Sequence, residues 1–139
     1  MAQSIRDVMT QDPECVSSDT TVVEAAKLMK DKEFGAVLCK DDDQVSGILT
    51  DRDIALRVVA EGKDPTSTTV DEVATKNIKA LSPDDSVEDA IKLVREQNVR
   101  RVPVLEDAKP VGIVSIGDLA RERDKDSALA DLSEAPANN

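Results

Sequence analysis

Histidine, tryptophan and tyrosine are absent from this 139-residue chain, phenylalanine occurs once, as Phe34, and cysteine twice, as Cys15 and Cys39. Without histidine there is no Ser-His-Asp or Cys-His machinery, no His-ligated zinc and no imidazole pH switch. A single aromatic ring provides no platform for stacking bases, so any core must be aliphatic. Positive charge is also scarce: 18 Lys and Arg stand against 29 Asp and Glu, for a net charge of −11. Such a chain repels a polyanion on encounter, which argues against nucleic-acid binding. No stretch reaches the roughly 18 consecutive apolar residues of a membrane span, and the N-terminus MAQSIRDVMT lacks the basic start and apolar run of a secretion signal. A soluble, cytoplasmic protein with no membrane partner is the expectation. The two cysteines are too few for a disulfide scaffold and lack C-x-x-C spacing, so buried, reduced thiols are expected.

What is present is a repeat. At an offset of 65 residues Val8 matches Val73, Thr10 matches Thr75, Asp19 matches Asp84, Val22 matches Val87, Ala25 matches Ala90, Leu28 matches Leu93, Val37 matches Val102, Gly47 matches Gly112, Ile48 matches Ile113 and Asp53 matches Asp118. No gap is needed, so one unit occurs twice. The repeats are placed at 5–66 and 67–125, joined through Lys63-Asp64-Pro65-Thr66-Ser67, with a mobile tail at 126–139.

Each copy reads as β-α-β-β-α. Thr21 with Glu24, and Ser86 with Asp89, have the spacing of capping boxes, in which hydroxyl and acid satisfy free N–H groups at a helix start. Behind them Val22, Ala25, Ala26 and Met29, and Val87, Ala90, Ile91 and Val94, fall at i, i+3, i+4, i+7 and give each helix one aliphatic stripe. Two β-rich runs follow each helix, Ala36–Cys39 with Val45–Leu49 and Val102–Leu105 with Val111–Val114, across polar joins short enough for hairpins. Second helices start at Asp51 and Ile116, and short first strands fall near Cys15-Val16 and Lys79-Ala80-Leu81. A three-stranded sheet cannot bury both faces alone, so an α/β (α+β) fold with the two repeats packed sheet to sheet in pseudo-two-fold symmetry is expected.

The residues richest in chemistry stand where the hairpin enters the second helix: Gly47-Ile48-Leu49-Thr50-Asp51-Arg52-Asp53 and Gly112-Ile113-Val114-Ser115-Ile116-Gly117-Asp118. A hydroxyl followed three residues later by an acid is a cap. The same geometry offers a phosphate the free N–H groups and positive end of a helix, and offers ribose hydroxyls a carboxylate. Arg100 and Arg101 precede a strand of the second copy, where the first copy has Gly35 and Ala36. Two guanidiniums beside phosphate-accepting helix ends favour a bound polyphosphate, and the two clefts should differ.

With these residues the chain resembles tandem cystathionine-β-synthase-type repeats, the CBS-domain pair or Bateman module, over about residues 5–125. Leu49–Ile54, Gly62–Pro65 and Val99–Val104 are similar to stand-alone actinobacterial CBS-pair proteins of the hypoxic response type. The resemblance implies a non-catalytic regulatory module, commonly a homodimer, that binds AMP, ADP, ATP or S-adenosylmethionine in two clefts built across the repeats. Carried over, Asp53 and Asp118 hold ribose, Thr50 and Ser115 phosphate, and Ile48 and Ile113 one side of adenine. Thr10, Cys15 and the backbone near Phe34 complete the cleft of Asp118, with Arg101 and Arg100 as phosphate contacts; Thr75, Ala80 and Val99 complete that of Asp53. No cofactor is required, magnesium arrives only with ATP, and the protein partner that reads the sensor is unidentified. The first copy lacks the cation and has Leu38 where the second has Pro103, so its cleft is expected to bind nucleotide weakly or not at all.

Other readings attach to the same residues. A stress-associated dimeric scaffold with empty clefts, acting through partners, uses the caps as caps alone. An enzyme lacks a nucleophile with a base, and Asp51 and Asp53 point apart on a helix. Strand adjacency raises a Cys15–Cys39 disulfide as a redox link. The run Asp41-Asp42-Asp43 is read as a solvated turn, because a calcium site needs more ligands from a shaped loop.

Overall fold

The structure, a computed structural model, describes residues 4–123. Its elements in chain order are α1 (Ile5–Val8), β1 (Thr10–Gln11), β2 (Cys15–Val16), α2 (Val22–Lys32), β3 (Ala36–Asp41), β4 (Gln44–Thr50), α3 (Asp51–Ile54) with a π-helical continuation (Ala55–Val59), α4 (Val70–Val73), β5 (Thr75–Lys76), α5 (Val87–Gln97), β6 (Arg101–Glu106), β7 (Lys109–Ser115) and α6 (Ile116–Arg123). The mixed α/β class is the one read from the repeat. The tail placed at 126–139 lies outside the described residues.

The chain divides into two compact units, and their boundaries are not those of the sequence repeats: one runs over 14–78, the other joins the residues up to 13 with those from 79 onward. Each repeat's opening segment therefore belongs to the sheet built from the other repeat's hairpin. In the 14–78 unit the sheet order is β2-β3-β4-β5, and in the other unit it is β1-β7-β6. Two-residue strands β5 and β1 join the outer edges of β4 and β7 antiparallel, Ile48 opposite Thr75 and Ile113 opposite Thr10. This explains the glycine of each Gly-h-h-[Ser/Thr]-x-x-Asp run, where h is an aliphatic residue. A Cβ on Gly47 would stand 2.7 Å from the Thr75 carbonyl oxygen, and one on Gly112 would stand 2.5 Å from Met9 Sδ and 2.9 Å from the Thr10 carbonyl oxygen. Only a residue without Cβ allows the added strand to close up.

The first strands differ between the units. Parallel to β3, Cys15 faces Leu38 and Val16 faces Cys39, and the Leu38 N–H donates to the Glu14 carbonyl at 2.8 Å. The strand expected at Lys79–Leu81 shrinks to a single bridge, Leu81 with Val104. The cause is Pro103: it occupies the place of Leu38 and has no N–H to give the matching carbonyl, so only the bonds of Leu81 survive.

The helix starts are as the spacing required. Thr21 Oγ1 accepts from the Glu24 N–H at 3.3 Å, and Ser86 Oγ from the Asp89 N–H at 3.0 Å, with the Asp89 side chain returning to the Ser86 N–H. Both helices stop on a left-handed residue, Glu33 (φ 53°) and Asn98 (φ 52°). Both hairpins tighten beyond expectation to two-residue turns, Asp42-Asp43 and Asp107-Ala108, with every φ positive, the conformation that matches strand twist. In the 14–78 unit the core is Val22, Ala25, Met29, Val37, Cys39, Leu49, Val58, Val70, Val73 and Ala74. The other unit buries Ile5, Val87, Ala90, Val102, Val104, Val114 and Leu119.

Candidate functional site

In both units the hairpin's last strand runs directly into a capped helix. Thr50 Oγ1 accepts the Asp53 N–H at 3.1 Å, and Asp53 Oδ2 accepts the Thr50 N–H at 3.0 Å. The second copy repeats this closely, with Ser115 Oγ and the Asp118 N–H at 3.1 Å and Asp118 Oδ2 and the Ser115 N–H at 3.0 Å. Both carboxylates are sheltered, each with a side chain 14% exposed. Each acid thus commits one oxygen to its cap and turns the other toward an arginine of its own helix. Arg57 Nε lies 3.9 Å from Asp53 Oδ1, while its Nη1 donates to the Val73 carbonyl at 2.9 Å. Arg121 Nη2 donates to Asp118 Oδ1 in a close charge-assisted hydrogen bond.

Sequence reading missed these two arginine partners of the capping acids. Their signal was present as helical i+4 and i+3 spacing from the acids, which puts charge partners on one face. Arg57 also sits on a stretch whose Ala60 N–H reaches back five residues to the Ala55 carbonyl, at 2.9 Å. Its counterpart α6 is a regular α-helix over Ile116–Arg123.

The unit holding Asp118 also holds Ser115, Ile113, Arg100, Arg101 and Thr10. Arg101 stands directly opposite Ser115 in the β6–β7 register, and the Arg100 carbonyl accepts the Ile116 N–H at 2.9 Å. Thr10 pairs with Ile113 and is exposed. The unit holding Asp53 gathers Thr50, Ile48 and Thr75 and sets Gly35-Ala36 where the other has Arg100-Arg101. Cys15 does not belong to the unit of Asp118, nor Ala80 to that of Asp53. Ile48 and Ile113 are 2% and 1% exposed, so as placed they are core side chains with almost no surface for an adenine ring.

The disulfide raised from strand adjacency is corrected by the register. Paired residues of parallel strands share a face and successive residues alternate. Cys15 pairs with Leu38, so Cys39, the next residue, presents its side chain to the opposite face, where it packs in the core. The two cysteines are not joined in a disulfide, and burial pushes each thiol above its ordinary range.

Two matching sheet-and-helix units, each with a sheltered carboxylate capping the helix after its hairpin, define a paired-repeat module. The chain belongs to the CBS domain family, whose family model matches residues 5–60 and 70–125. It is 42% identical to the CBS domain-containing protein YhcV of Bacillus subtilis over 84% of this chain and 83% of that one. It is 38% identical to Hypoxic response protein 1 of Mycobacterium tuberculosis, over 84% and 82%. A solved structure of Hypoxic Response Protein I with two coordinated zinc ions is 38% identical with a TM-score of 0.74, covering 86% of this chain and 98% of that one. The CBS domain pair of protein MJ0100, solved with 5-methylthioadenosine and S-adenosyl-L-methionine, is 26% identical with a TM-score of 0.82, covering 91% and 100%.

Zinc of the kind coordinated in the Hypoxic Response Protein I structure finds no clustered donor set among the described residues. Zinc takes imidazole, thiolate and carboxylate ligands; this chain has no histidine, and its two thiols lie on opposite faces of one sheet. Among the described residues no group of three or more Cys, Asp or Glu side chains could hold a metal ion. Also among the described residues, no helix is long and apolar enough to cross a membrane.

Proposed function

We propose that this chain is a non-catalytic regulatory module that binds an adenosine derivative, AMP, ADP or ATP, at its two capped helix starts and passes the occupancy to a protein partner. The observation that carries this is the union, within one unit, of a sheltered Asp118, the Ser115 hydroxyl on a helix N-terminus and Arg101 directly across the hairpin. Ribose hydroxyls donate to the carboxylate, and phosphate takes the hydroxyl, the helix end and the guanidinium. The adenosine ligands solved with the MJ0100 pair support the ligand class. The Asp53 unit, with Gly35-Ala36 in place of the cations, is the weaker site. Self-association and a cytoplasmic setting belong to the same reading; Leu56 and Val59, on one helical stretch and 50% and 71% exposed, with Ile116 at 45%, supply apolar surface for it.

A second reading is favoured by one specific fact: both carboxylates are already satisfied as caps and ion pairs. In that reading the clefts serve stability alone and the surface recruits partners. Thermal unfolding with millimolar AMP, ADP and ATP with magnesium separates the two. Ligand at 100 times its dissociation constant stabilises by about 2.7 kcal/mol, a shift of several degrees. A shift with one nucleotide supports the sensor, and its absence with all of them supports the scaffold.

A further inference from the structure

The two acids are covered differently, and the difference bears on which ligand each admits. Arg121 grips Asp118 Oδ1 by a direct hydrogen bond, whereas Arg57 stands 3.9 Å from Asp53 Oδ1 and spends a donor on the Val73 carbonyl. Arg121 is also folded back over the first turn of α6. Its Nη1 lies 3.7 Å from where a Cβ on Gly117 would stand, and the other near neighbour of that point is Ser115 Oγ, at 3.6 Å. Guanidinium and hydroxyl thus flank the same first-turn residue, and Ser115 is paired across the hairpin with Arg101. In the other unit Arg52 replaces Gly117, Leu56 replaces Arg121, and Gly35-Ala36 replace Arg100-Arg101.

We propose that Arg121 determines the specificity of the Asp118 site: it covers the carboxylate until a 5′-phosphate draws it away, so that the site takes phosphorylated nucleosides and discriminates against the bare nucleoside. The inference rests on the adenosine-binding reading above. A ribose hydroxyl is a neutral donor and does not displace a charge-assisted guanidinium contact. A phosphate does, because it offers the planar fork a bidentate partner of higher charge, and Arg121 lies over the same first turn of α6 whose start carries the Ser115 hydroxyl. The carboxylate released by this exchange then accepts the ribose. Specificity arises as a difference between two ligands, one of which is penalised.

The test is calorimetric titration of adenosine and of AMP into a chain carrying Asp53→Asn, so that the Asp118 site reports, with Arg121 intact or changed to Leu, the residue at the matching place, or to Gln. With Arg121 intact AMP binds at least about tenfold more tightly than adenosine, the equivalent of one charge-assisted contact. In both variants AMP binding weakens, adenosine binding strengthens, and the ratio falls toward one. Arg121→Gln keeps the side chain's stem and a hydrogen bond to Asp118, so it decides the matter if Arg121→Leu does not fold. A ratio unchanged by the substitutions, or adenosine binding lost from the variants along with AMP, overturns the role of Arg121 while leaving standing the reading that the unsubstituted site binds an adenosine derivative. No titration with either compound in any chain, the unsubstituted one included, overturns both.

Discussion

The two units follow one backbone plan and carry different charges on it. Helix caps, left-handed helix ends, two-residue turns and strand-admitting glycines recur at the offset of 65, so that Glu33 answers Asn98 and Asp43 answers Ala108. The electrostatics do not recur. Arg6 holds Asp84 at 3.3 Å and Glu106 at 3.1 Å, whereas the matching residues of the other unit are all acids, Asp71, Asp19 and Asp41. Those three find separate partners: Asp71 with Lys76 at 2.9 Å, Asp19 with the Ser17 hydroxyl at 2.6 Å and Asp41 with the Ser18 N–H at 3.0 Å. The guanidiniums at the helix starts diverge in the same way. Backbone geometry is what both copies need in order to fold; charge is where they differ, and the proposed difference in ligand rests on it.

Substitutions at matching positions break or sharpen this comparison. The largest effect is expected from Leu49→Ala, a fully buried side chain, at about 3 kcal/mol in urea unfolding, with Val114→Ala, one methylene smaller, at about 2 kcal/mol. Next, Gly47→Ala forces a Cβ against a backbone carbonyl and costs about 2–3 kcal/mol by overpacking. Gly112→Ala costs somewhat less, about 1–2 kcal/mol, because the flexible end of Met9 can move aside and the Thr10 backbone carbonyl stands at 2.9 Å, against 2.7 Å for that of Thr75. Removing either cap hydroxyl, Thr50→Ala or Ser115→Ala, costs about 1 kcal/mol by thermal melt, alike in both units. Ala108→Gly raises stability by about 1 kcal/mol, since alanine at φ 68° carries the Cβ penalty of the left-handed region. Asp43→Gly gains less, because aspartate tolerates that region. The smallest contrast is between the thiols. Half-buried Cys15 reacts with a thiol reagent before buried Cys39, which reacts on unfolding, and no disulfide forms under mild oxidation. Because burial raises both thiols, the stability they contribute is complete below the ordinary thiol pKa and declines as pH rises above about 8.5.

Much of this architecture was legible in the sequence because it is local. Thr21, Thr50, Ser86 and Ser115 announce helices through a hydroxyl and an acid three apart, and the aliphatic stripes of α2 and α5 follow from helical period. The capped acids Asp53 and Asp118 were legible for the same reason. What escaped reading is non-local or too short to have a period. Strands β1 and β5 are two residues each, and their attachment, which takes each repeat's opening segment into the other compact unit, shows only as an unexplained glycine in the partner strand. The missing strand at Lys79–Leu81 turned on one absent N–H at Pro103. The Cys15–Cys39 pairing failed on register, since a one-residue offset sends a side chain to the other face. Arg57 and Arg121 were visible as spacing, but their use as covers for the acids needs the folded helix.

The most direct test of the account is thermal unfolding with millimolar AMP, ADP and ATP with magnesium on the unsubstituted protein, on Asp118→Ala and on Asp53→Ala. The account predicts a nucleotide-dependent rise of several degrees that disappears in Asp118→Ala and largely survives in Asp53→Ala, both variants otherwise losing about the 1 kcal/mol of a cap. A rise that persists in Asp118→Ala, or no rise with any nucleotide in the unsubstituted protein, contradicts it.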